Sequence, residues 1–345
     1  MRVYISSPGQ FFQGFNSRLR GEGRWLLHVA GVLAESGHEV VIFSNDPVKP
    51  YKDKGVVFSS IHNFRGHDLN CDVLVAMDSF SDLPGTHKTN ITPILDNFRC
   101  SKRVWSGFFP VGGDQEKIYS HVPTIHPWNY KSCREGKANW LPIITHAEFQ
   151  KPGFDRNRFH WYSKNAHEEP KYIFGVMSAL YDLAIEKGTV GSFVDGVQIG
   201  SQKYRKDYPQ NKEDVVKILF KEIVAKGSES FSHWAPYDYV QQLMFQSKML
   251  VGVHHPVAAP SMAEIVAHGG FPLQFKNQKD CPPYDQADIP FIEENASDEE
   301  VKDFILEVWN NEELFTRTVL SCQEAIREHG KQEAAVRINK FFEEL

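Results

Sequence analysis

The strongest constraint on the fold comes from the order of elements near the N-terminus. The apolar run RVYIS (2–6) predicts a short buried strand. WLLHVAGVLAESG (25–37) has its apolar residues on one helical stripe and ends at a glycine, which is typical of a helix C-terminus. HEVVIFS (38–44) then predicts a second strand. A strand, a helix and a strand in this order form a βαβ unit, which indicates a parallel sheet.

The same alternation continues along the chain and predicts a second α/β domain. Segment 110–157 has little pattern and is rich in Pro, Gly, His and Trp, and we interpret it as long functional loops with an interdomain crossing near 148–158. The cleft between two such domains is the natural ligand site. The other predicted elements are strands at 71–78, 101–109, 158–163, 191–200 and 248–256, and helices at 168–188, 211–227, 236–247 and throughout the tail from 298.

Composition narrows the class of protein. A chain of 345 residues with 41% apolar residues has room for about two domains, each with its own core. The formal net charge of -6 gives no general support to nucleic-acid binding. We expect a cytoplasmic protein, because no signal peptide and no long apolar run is seen. The cysteines are scattered and never spaced as CxxC, which argues against a disulfide framework or a zinc site: Cys71, Cys100, Cys133, Cys281 and Cys322.

A glycine- and arginine-rich segment precedes the first helix. Gly21 and Gly23, with Gly14 upstream, form a loop that could approach an anion closely, because free N–H groups and the helix dipole favour negative charge there. Its arginines would assist with a diphosphate: Arg18, Arg20 and Arg24. The segment matches neither GxGxxG nor a P-loop, and a surface loop with solvated arginines explains it equally well.

Two lysines flank the start of the second domain's first helix. Lys164 follows a predicted strand, where open α/β sheets bind ligands, and Lys171 lies in the next element. The pair suits a phosphate clamp. Two ordinary surface lysines, neutralised by Glu168 and Glu169, are the alternative.

The stretch SMAEIVAHGGFPLQF (261–275) predicts a helix, a Gly-Gly turn and a strand. Glu264 lies beside the predicted cleft, where a carboxylate can accept two hydroxyl hydrogen bonds from a ribose. The alternative is a capping box, with Ser261 as N-cap and Glu264 as the third helical residue. Gly269 and Gly270 would permit the sharp exit.

Several acids and histidines are candidate catalytic groups. Asp78 ends a predicted strand and is a candidate base, although acids at strand ends also form turns. His121 and His126 lie in the segment of little pattern, and only one of the neighbours His254 and His255 can face a ligand. No spaced metal set and no hydrolase nucleophile motif is present.

Taken in order, these segments resemble the large retaining glycosyltransferase family of the GT-B fold. Family members have a GHEV-like strand, seen here in GHEVVIFS (37–44), and an EAxxxG-like module, seen here in AEIVAHGGFPL (263–273). The resemblance implies two Rossmann-like domains whose parallel sheets face a central cleft: an acceptor-side domain (1–152), a nucleotide-sugar domain (153–328) and a C-terminal helix (329–345) that crosses back to the first domain.

The resemblance also assigns roles to residues. Glu264 takes the place of the glutamate that binds the donor ribose, Ser261, Gly269 and Gly270 belong to the same module, and His255 lies just upstream of it. Lys164 and Lys171 correspond to the basic pair for the diphosphate, which Gly21 and Gly23 also face. His121 or His126 would supply the histidine of the first domain. Asp78 is not assigned by the resemblance, and its place at a strand end lets it contact a hydroxylated acceptor or act as a base. The chain departs from the E-x7-E pattern, because Pro256 stands where the sugar-facing glutamate is expected.

The implied activity is transfer of a hexosyl or pentosyl group from a nucleotide diphosphate sugar, with UDP as the favoured nucleotide, to an acceptor hydroxyl with retention of configuration. No cofactor is required beyond this co-substrate, and no metal site is expected. The acceptor is a glycan, a small molecule or a hydroxymethylated DNA base, for which Lys102 and Arg103 would add positive charge. A non-catalytic nucleotide-sugar binding protein and a UDP-sugar epimerase of the same fold are the alternatives.

Overall fold

The computed structural model describes residues 1–7, 14–17, 21–44, 49–60, 68–77, 98–106, 122–127, 136, 138–145, 147–162, 173–194, 229–231, 236–251, 260–273, 287–293 and 295–345. The chain divides into two compact units. Unit 1 contains Met1–Ile144 and Lys331–Leu345, and unit 2 contains Thr145–Gly330. The sequence placed these boundaries at 152/153 and 328/329.

Unit 1 is built around a sheet of eight strands within the described residues, in the order β3-β4-β2-β1-β5-β6-β7-β8. All neighbouring strands are parallel except β3, which runs antiparallel to β4. Buried side chains of the central strands, among them Tyr4, Phe43 and Leu74, form one core cluster of the sheet. The strands are β1 (Arg2–Ser7), β2 (Glu39–Ser44), β3 (Tyr51–Asp53), β4 (Val56–Ser60), β5 (Asn70–Met77), β6 (Arg99–Ser106), β7 (Thr124–His126) and β8 (Asn139–Trp140).

Helix α1 (Gly21–Glu35) connects β1 to β2 and buries an apolar face that begins with Trp25. The Trp25 indole donates a hydrogen bond to the carbonyl oxygen of Pro142 at 3.2 Å, which satisfies its polar atom within the core. The last helix of the chain (Lys331–Glu344) belongs to the same unit and packs against α1.

Unit 2 contains, within the described residues, a parallel sheet in the order β11-β10-β9-β12-β13. Its helices cover this sheet with apolar side chains such as Leu180, Ile305 and Phe315. The strands are β9 (Arg158–Tyr162), β10 (Val190–Val194), β11 (Glu229–Phe231), β12 (Met249–Val251) and β13 (Phe271–Pro272). The helices are α2 (Ile173–Lys187), α3 (Tyr237–Gln246), α4 (Pro260–Ala267), α5 (Asp298–Asn310) and α6 (Glu312–Ala325), and the helix at Lys331–Glu344 is therefore α7.

The two points at which the chain passes from one unit to the other lie side by side. Thr145 donates two hydrogen bonds to the carbonyl oxygen of His329, from its backbone N–H at 2.9 Å and from its hydroxyl at 2.8 Å. Thr145 also forms a parallel β-bridge with Gly330. Both ends of unit 2 are thus joined by one backbone hydrogen bond and one side-chain hydrogen bond, and the Thr145 side chain is fully buried.

Some elements differ from the sequence predictions. The region 49–60 carries β3 and β4, and β7 and β8 lie within the segment interpreted as loops. These strands have five residues or fewer, and so short a strand leaves little periodic signal in a sequence. The strand predicted at 248–256 is described only over Met249–Val251, and the helix predicted at 211–227 lies outside the described residues.

Candidate functional site

The sheet of unit 2 has a switch point between β9 and β12. From β9 the chain proceeds to β10 and β11 on one side, whereas β12 and β13 lie on the other side of β9. In open α/β sheets, ligands bind outside the carboxyl ends of the strands at such a position. The carboxyl ends here are Tyr162 and Val251, and α4 begins at Pro260, soon after β12. The start of α4, up to its middle, therefore lies at this edge of the sheet.

Glu264 is the acidic side chain that α4 brings to this edge. Only 4% of it is exposed, although an ionised carboxylate is costly to bury without hydrogen-bond donors. The hydroxyl group of Tyr237, the first residue of α3, donates a hydrogen bond to Glu264 Oε1. Because α3 leads directly into β12, its first residue lies at the same edge of the sheet as the start of α4. The two helices thus hold one carboxylate in a fixed position beside the switch point.

The start of α4 differs from the capping-box interpretation. The helix begins at Pro260, so that Ser261 is its second residue and is not the N-cap, and Glu264 is not its third residue. Proline fits the first helical position, because its φ angle is already helical and its missing N–H would have no partner there. The carboxylate of Glu264 instead accepts the hydrogen bond from Tyr237, which lies on another helix.

The end of α4 is held by a Schellman motif. The N–H of Gly270 donates to the carbonyl oxygen of Ile265 at 2.8 Å, and that of Gly269 donates to Val266 at 2.9 Å. Gly269 has a φ of 81°, and a Cβ atom at this position would lie 2.2 Å from the carbonyl oxygen of Lys151. Only glycine fits this turn, which directs the chain from α4 into β13 and thereby sets the position of Glu264.

His268 fixes the same end of α4 against α3. Its Nε2 lies 2.8 Å from Oε1 of Gln241, and its ring meets that of Phe245 edge to face with the centroids 5.8 Å apart. Burial, and then the positive charge of Arg156, lower the pKa of His268 to about 4. The imidazole is therefore neutral at physiological pH and packs as part of the support of α4.

In unit 1 the structure describes Gly21, Gly23 and Arg24, residues of the glycine- and arginine-rich segment that were predicted to face a diphosphate. Gly21 and Gly23 lie in the first turn of α1 and not in the loop before it, because the helix begins at Gly21. The first N–H groups of a helix have no intrahelical acceptor, so this position remains suited to an anion. Arg24 is buried and donates to the backbone carbonyl oxygens of Phe15 at 2.8 Å and of Ser17, which gives it a structural role.

His126 is the last residue of β7 and lies at the carboxyl edge of the first sheet. Its side chain is fully buried. The remaining predicted site residues lie outside the described residues: Asp78, His121, Lys164, Lys171 and His255.

Comparison with solved structures identifies the architecture. The chain matches sucrose-phosphate synthase from Thermosynechococcus elongatus with a TM-score of 0.61 at 10% identity, covering 100% of this chain and 98% of that one. It matches WaaG, a glycosyltransferase involved in lipopolysaccharide biosynthesis, with a TM-score of 0.59 at 13% identity and 98% coverage of both chains. An alpha-glucosyltransferase in complex with UDP-glucose and DNA containing an abasic site gives a TM-score of 0.60 at 11% identity, with 99% of this chain and 98% of that chain covered.

The chain has the GT-B fold. Sequence comparison adds no closer relative, since no protein-family model and no curated protein matches the chain. The GT-B architecture confirms the fold class predicted from the sequence.

Tyr237 contacts the candidate site residue Glu264, and the sequence did not indicate this contact. It lies 27 positions before Glu264, and neither periodicity nor a motif links the two. The sequence PYDYV (236–240) is the one local feature that could have indicated Tyr237, because this tyrosine begins α3, the helix that leads into β12 beside the switch point. The described residues contain no group of three or more His, Cys, Asp or Glu side chains that could hold a metal ion. Among the same residues, no helix is long and apolar enough to cross a membrane.

Proposed function

We propose that this protein is a glycosyltransferase that moves a sugar from a nucleotide diphosphate sugar to an acceptor hydroxyl. The observation that carries the proposal is the buried carboxylate of Glu264, held by Tyr237 at the switch point of a GT-B fold. The three solved structures named above are, by their own descriptions, a sugar-phosphate synthase and two glycosyltransferases, and one was solved with UDP-glucose.

The donor would bind at the carboxyl edge of the sheet in unit 2. Glu264 would accept hydrogen bonds from the two ribose hydroxyl groups through its remaining lone pairs, because the bond from Tyr237 occupies only part of its acceptor capacity. Lys164, Lys171 and the N-terminus of α1 at Gly21 and Gly23 would neutralise the leaving diphosphate. UDP is the proposed nucleotide, and retention is the proposed stereochemical outcome.

The roles proposed in unit 1 concern the acceptor. His126 lies at the carboxyl edge of that sheet, and Asp78 directly follows β5 in the sequence. With His121, they are the proposed groups that orient the acceptor hydroxyl or accept its proton. His255 and Ser261 flank the start of α4 and are proposed as donor contacts on the sugar side, where Pro256 replaces the expected glutamate.

The first experiment is a thermal-shift screen of the full chain with UDP, GDP, ADP and their sugars. A ligand that binds only the folded protein stabilises it by about 2.7 kcal/mol at 100 times its Kd. We expect one nucleotide family to raise the melting temperature of the native protein. The same nucleotides should not raise the melting temperature of the Glu264→Gln variant. Glu313→Gln changes an exposed acid in α6 of the same unit and is the matched control that should keep the shift. If no nucleotide shifts the native protein, the proposed function fails.

Turnover distinguishes the remaining possibilities. Release of free nucleotide that depends on an acceptor indicates a transferase, whereas conversion of a UDP-sugar without an acceptor indicates an epimerase. Binding without turnover over a broad acceptor panel indicates a binding protein.

A hydroxymethylated DNA base is one proposed acceptor, and one structural neighbour was solved with UDP-glucose and DNA. In this chain the exposed basic residues Lys102 and Arg103 lie in the middle of β6, before its buried carboxyl end. Electrophoretic retardation that weakens steeply with salt would support DNA as acceptor. Absence of retardation at low salt would exclude it and leave a glycan or a small molecule.

A further inference from the structure

Two of the scattered cysteines are neighbours in the sheet of unit 1. Cys71 in β5 and Cys100 in β6 are register partners in adjacent parallel strands. Register partners in a parallel pair project from the same face of the sheet, so the side chains of Cys71 and Cys100 are neighbours on that face. Both are free cysteines in this structure. The sequence gives no sign of this pair, because the contact depends on the strand order and on the register.

The pair is accessible from one side. Cys71 is buried, with 7% of its surface exposed, and Cys100 is partly exposed. Both line an open surface depression of about 860 Å³ at the amino ends of the strands, together with Arg2, Asp72 and Arg99. A small reagent can therefore approach Cys100 from this depression more easily than Cys71, because Cys100 is the more exposed of the two.

We propose that Cys71 and Cys100 are a modification site, at which a small-molecule disulfide such as oxidised glutathione converts the two thiols into a reversible intrachain disulfide. Adjacent strands lie about 4.7–4.9 Å apart, and disulfides join residues whose Cα atoms are about 4.4–6.8 Å apart, so strand register already supplies the separation.

The order of the two steps follows from exposure. The thiolate of Cys100 attacks one sulfur of oxidised glutathione, which forms a mixed disulfide and releases one glutathione thiolate. Burial, and then the neighbouring Cys100, raise the pKa of Cys71 to about 12, so Cys71 stays protonated and is not the first nucleophile. Cys71 then loses its proton to solvent and attacks Cys100 Sγ, which releases the second glutathione thiolate. One oxidised glutathione is reduced to two glutathione molecules as the two cysteine thiols are oxidised, and the two cysteine protons pass to the released thiolates.

The bond would close a covalent loop between positions 71 and 100, and this loop contains Asp78. A cross-link restricts the unfolded chain and so stabilises the folded protein. Oxidation of the pair is therefore expected to stabilise the folded protein at the amino ends of β5 and β6. The inference does not rest on the proposed glycosyl transfer.

The test uses the full chain with Cys133→Ser and Cys281→Ser, which removes the cysteines outside the described residues. This protein is equilibrated in glutathione buffers of increasing oxidised fraction, quenched in acid and mapped by non-reducing peptide mass spectrometry. We expect one cross-linked peptide pair that joins positions 71 and 100, the loss of two hydrogens and full reversal by dithiothreitol. Cys322 is fully buried, burial raises its pKa, and it serves as the internal control that remains a thiol.

Single variants check the order of attack. Cys71→Ser should accumulate the glutathione adduct at Cys100, and Cys100→Ser should gain no adduct at Cys71 in the folded state. If Cys71→Ser does not fold, Cys71→Ala keeps the site apolar and serves in its place. A stable glutathione adduct at Cys100 with Cys71 still present, or disulfides only between molecules, would overturn the proposal.

Discussion

The hydroxyl group of Tyr237 and the carboxylate of Glu264 are joined by a hydrogen bond between the first turn of α3 and the middle of α4. Glu264 is buried, and a hydrogen bond to a charged group in such a place contributes more than one between neutral groups. The contact therefore serves two purposes, because it satisfies a buried acid and also fixes the side chain that we propose to bind the ribose.

Replacement of Tyr237 by phenylalanine removes the donor and keeps the ring. We expect Tyr237→Phe to lower the free energy of unfolding by about 1–3 kcal/mol, because the buried carboxylate loses a partner. It should also weaken the nucleotide-dependent thermal shift, because Glu264 is no longer held in one orientation. Chemical denaturation with and without nucleotide measures both effects. Tyr181→Phe, on a half-buried tyrosine of α2, is the control. Equal stability of the two variants would mean that the Tyr237 contact contributes nothing.

The turn at Gly269 can be tested by adding a single methyl group. Gly269→Ala puts a Cβ atom into a residue with φ 81°, at 2.2 Å from the carbonyl oxygen of Lys151. Gly188→Ala is the matched control in the same unit, because its φ is 63° and nothing lies within 4 Å of an added Cβ. We expect about 1–2 kcal/mol of destabilisation from the backbone alone at Gly188. Gly269→Ala should lower the free energy of unfolding by about 1–3 kcal/mol more than Gly188→Ala, because the Lys151 backbone must also move.

Urea unfolding of the two glycine variants, followed by tryptophan fluorescence, measures this difference. If both lose the same amount, the close approach of Lys151 relaxes without cost and does not constrain the end of α4.

The buried side chain of Lys248 makes the stability of the folded protein depend on pH. Its ammonium nitrogen lies 3.6 Å from the ring centroid of Phe154 and 5.2 Å from that of Trp309, and the side chain is buried. Burial, and then the charge of Lys187, lower the pKa of Lys248 to about 8. The unfolded chain, with an ordinary lysine pKa, binds more protons than the folded protein between about pH 8 and 10.4, so stability rises with pH across this window.

We expect the free energy of unfolding to rise by about 1 kcal/mol between pH 7 and pH 9 through this residue. Lys248→Met should remove that part of the rise, whereas Lys151→Met, which changes an exposed lysine of the same unit, should retain it. Denaturation curves of all three proteins at both pH values give the comparison. A rise of the same size in Lys248→Met would show that another group is responsible.

The sequence predicted the elements that have a strong period and a clear end. The run RVYIS, the helix ending at Gly37 and HEVVIFS correspond to β1, α1 and β2. β7 and β8 were not predicted, because three- and two-residue strands are defined by their neighbours in the sheet and not by their own periodicity. Glu264 could be singled out, since it is an acid in an otherwise uncharged helix.

Other parts of the site depend on tertiary structure. The Tyr237 contact and the pairing of Cys71 with Cys100 arise when distant segments meet, and no local pattern encodes either one. The capping-box interpretation puts the first helical residue of α4 at Met262, two residues late, because Ser261 resembles an N-cap, whereas Pro260 takes the first helical position.

The bridge between Thr145 and Gly330 has a consequence for how the protein can be dissected. Unit 2 is one uninterrupted stretch of chain whose entry and exit are bonded to each other, whereas unit 1 is assembled from two separate stretches. A gene fragment for residues 145–330 therefore encodes all five strands that the described residues place in this sheet, and it brings its own two ends together. A stop codon after Gly330 would leave the residues of unit 2 intact but would remove α7 from unit 1. α7 packs against α1, although the two helices lie at opposite ends of the sequence.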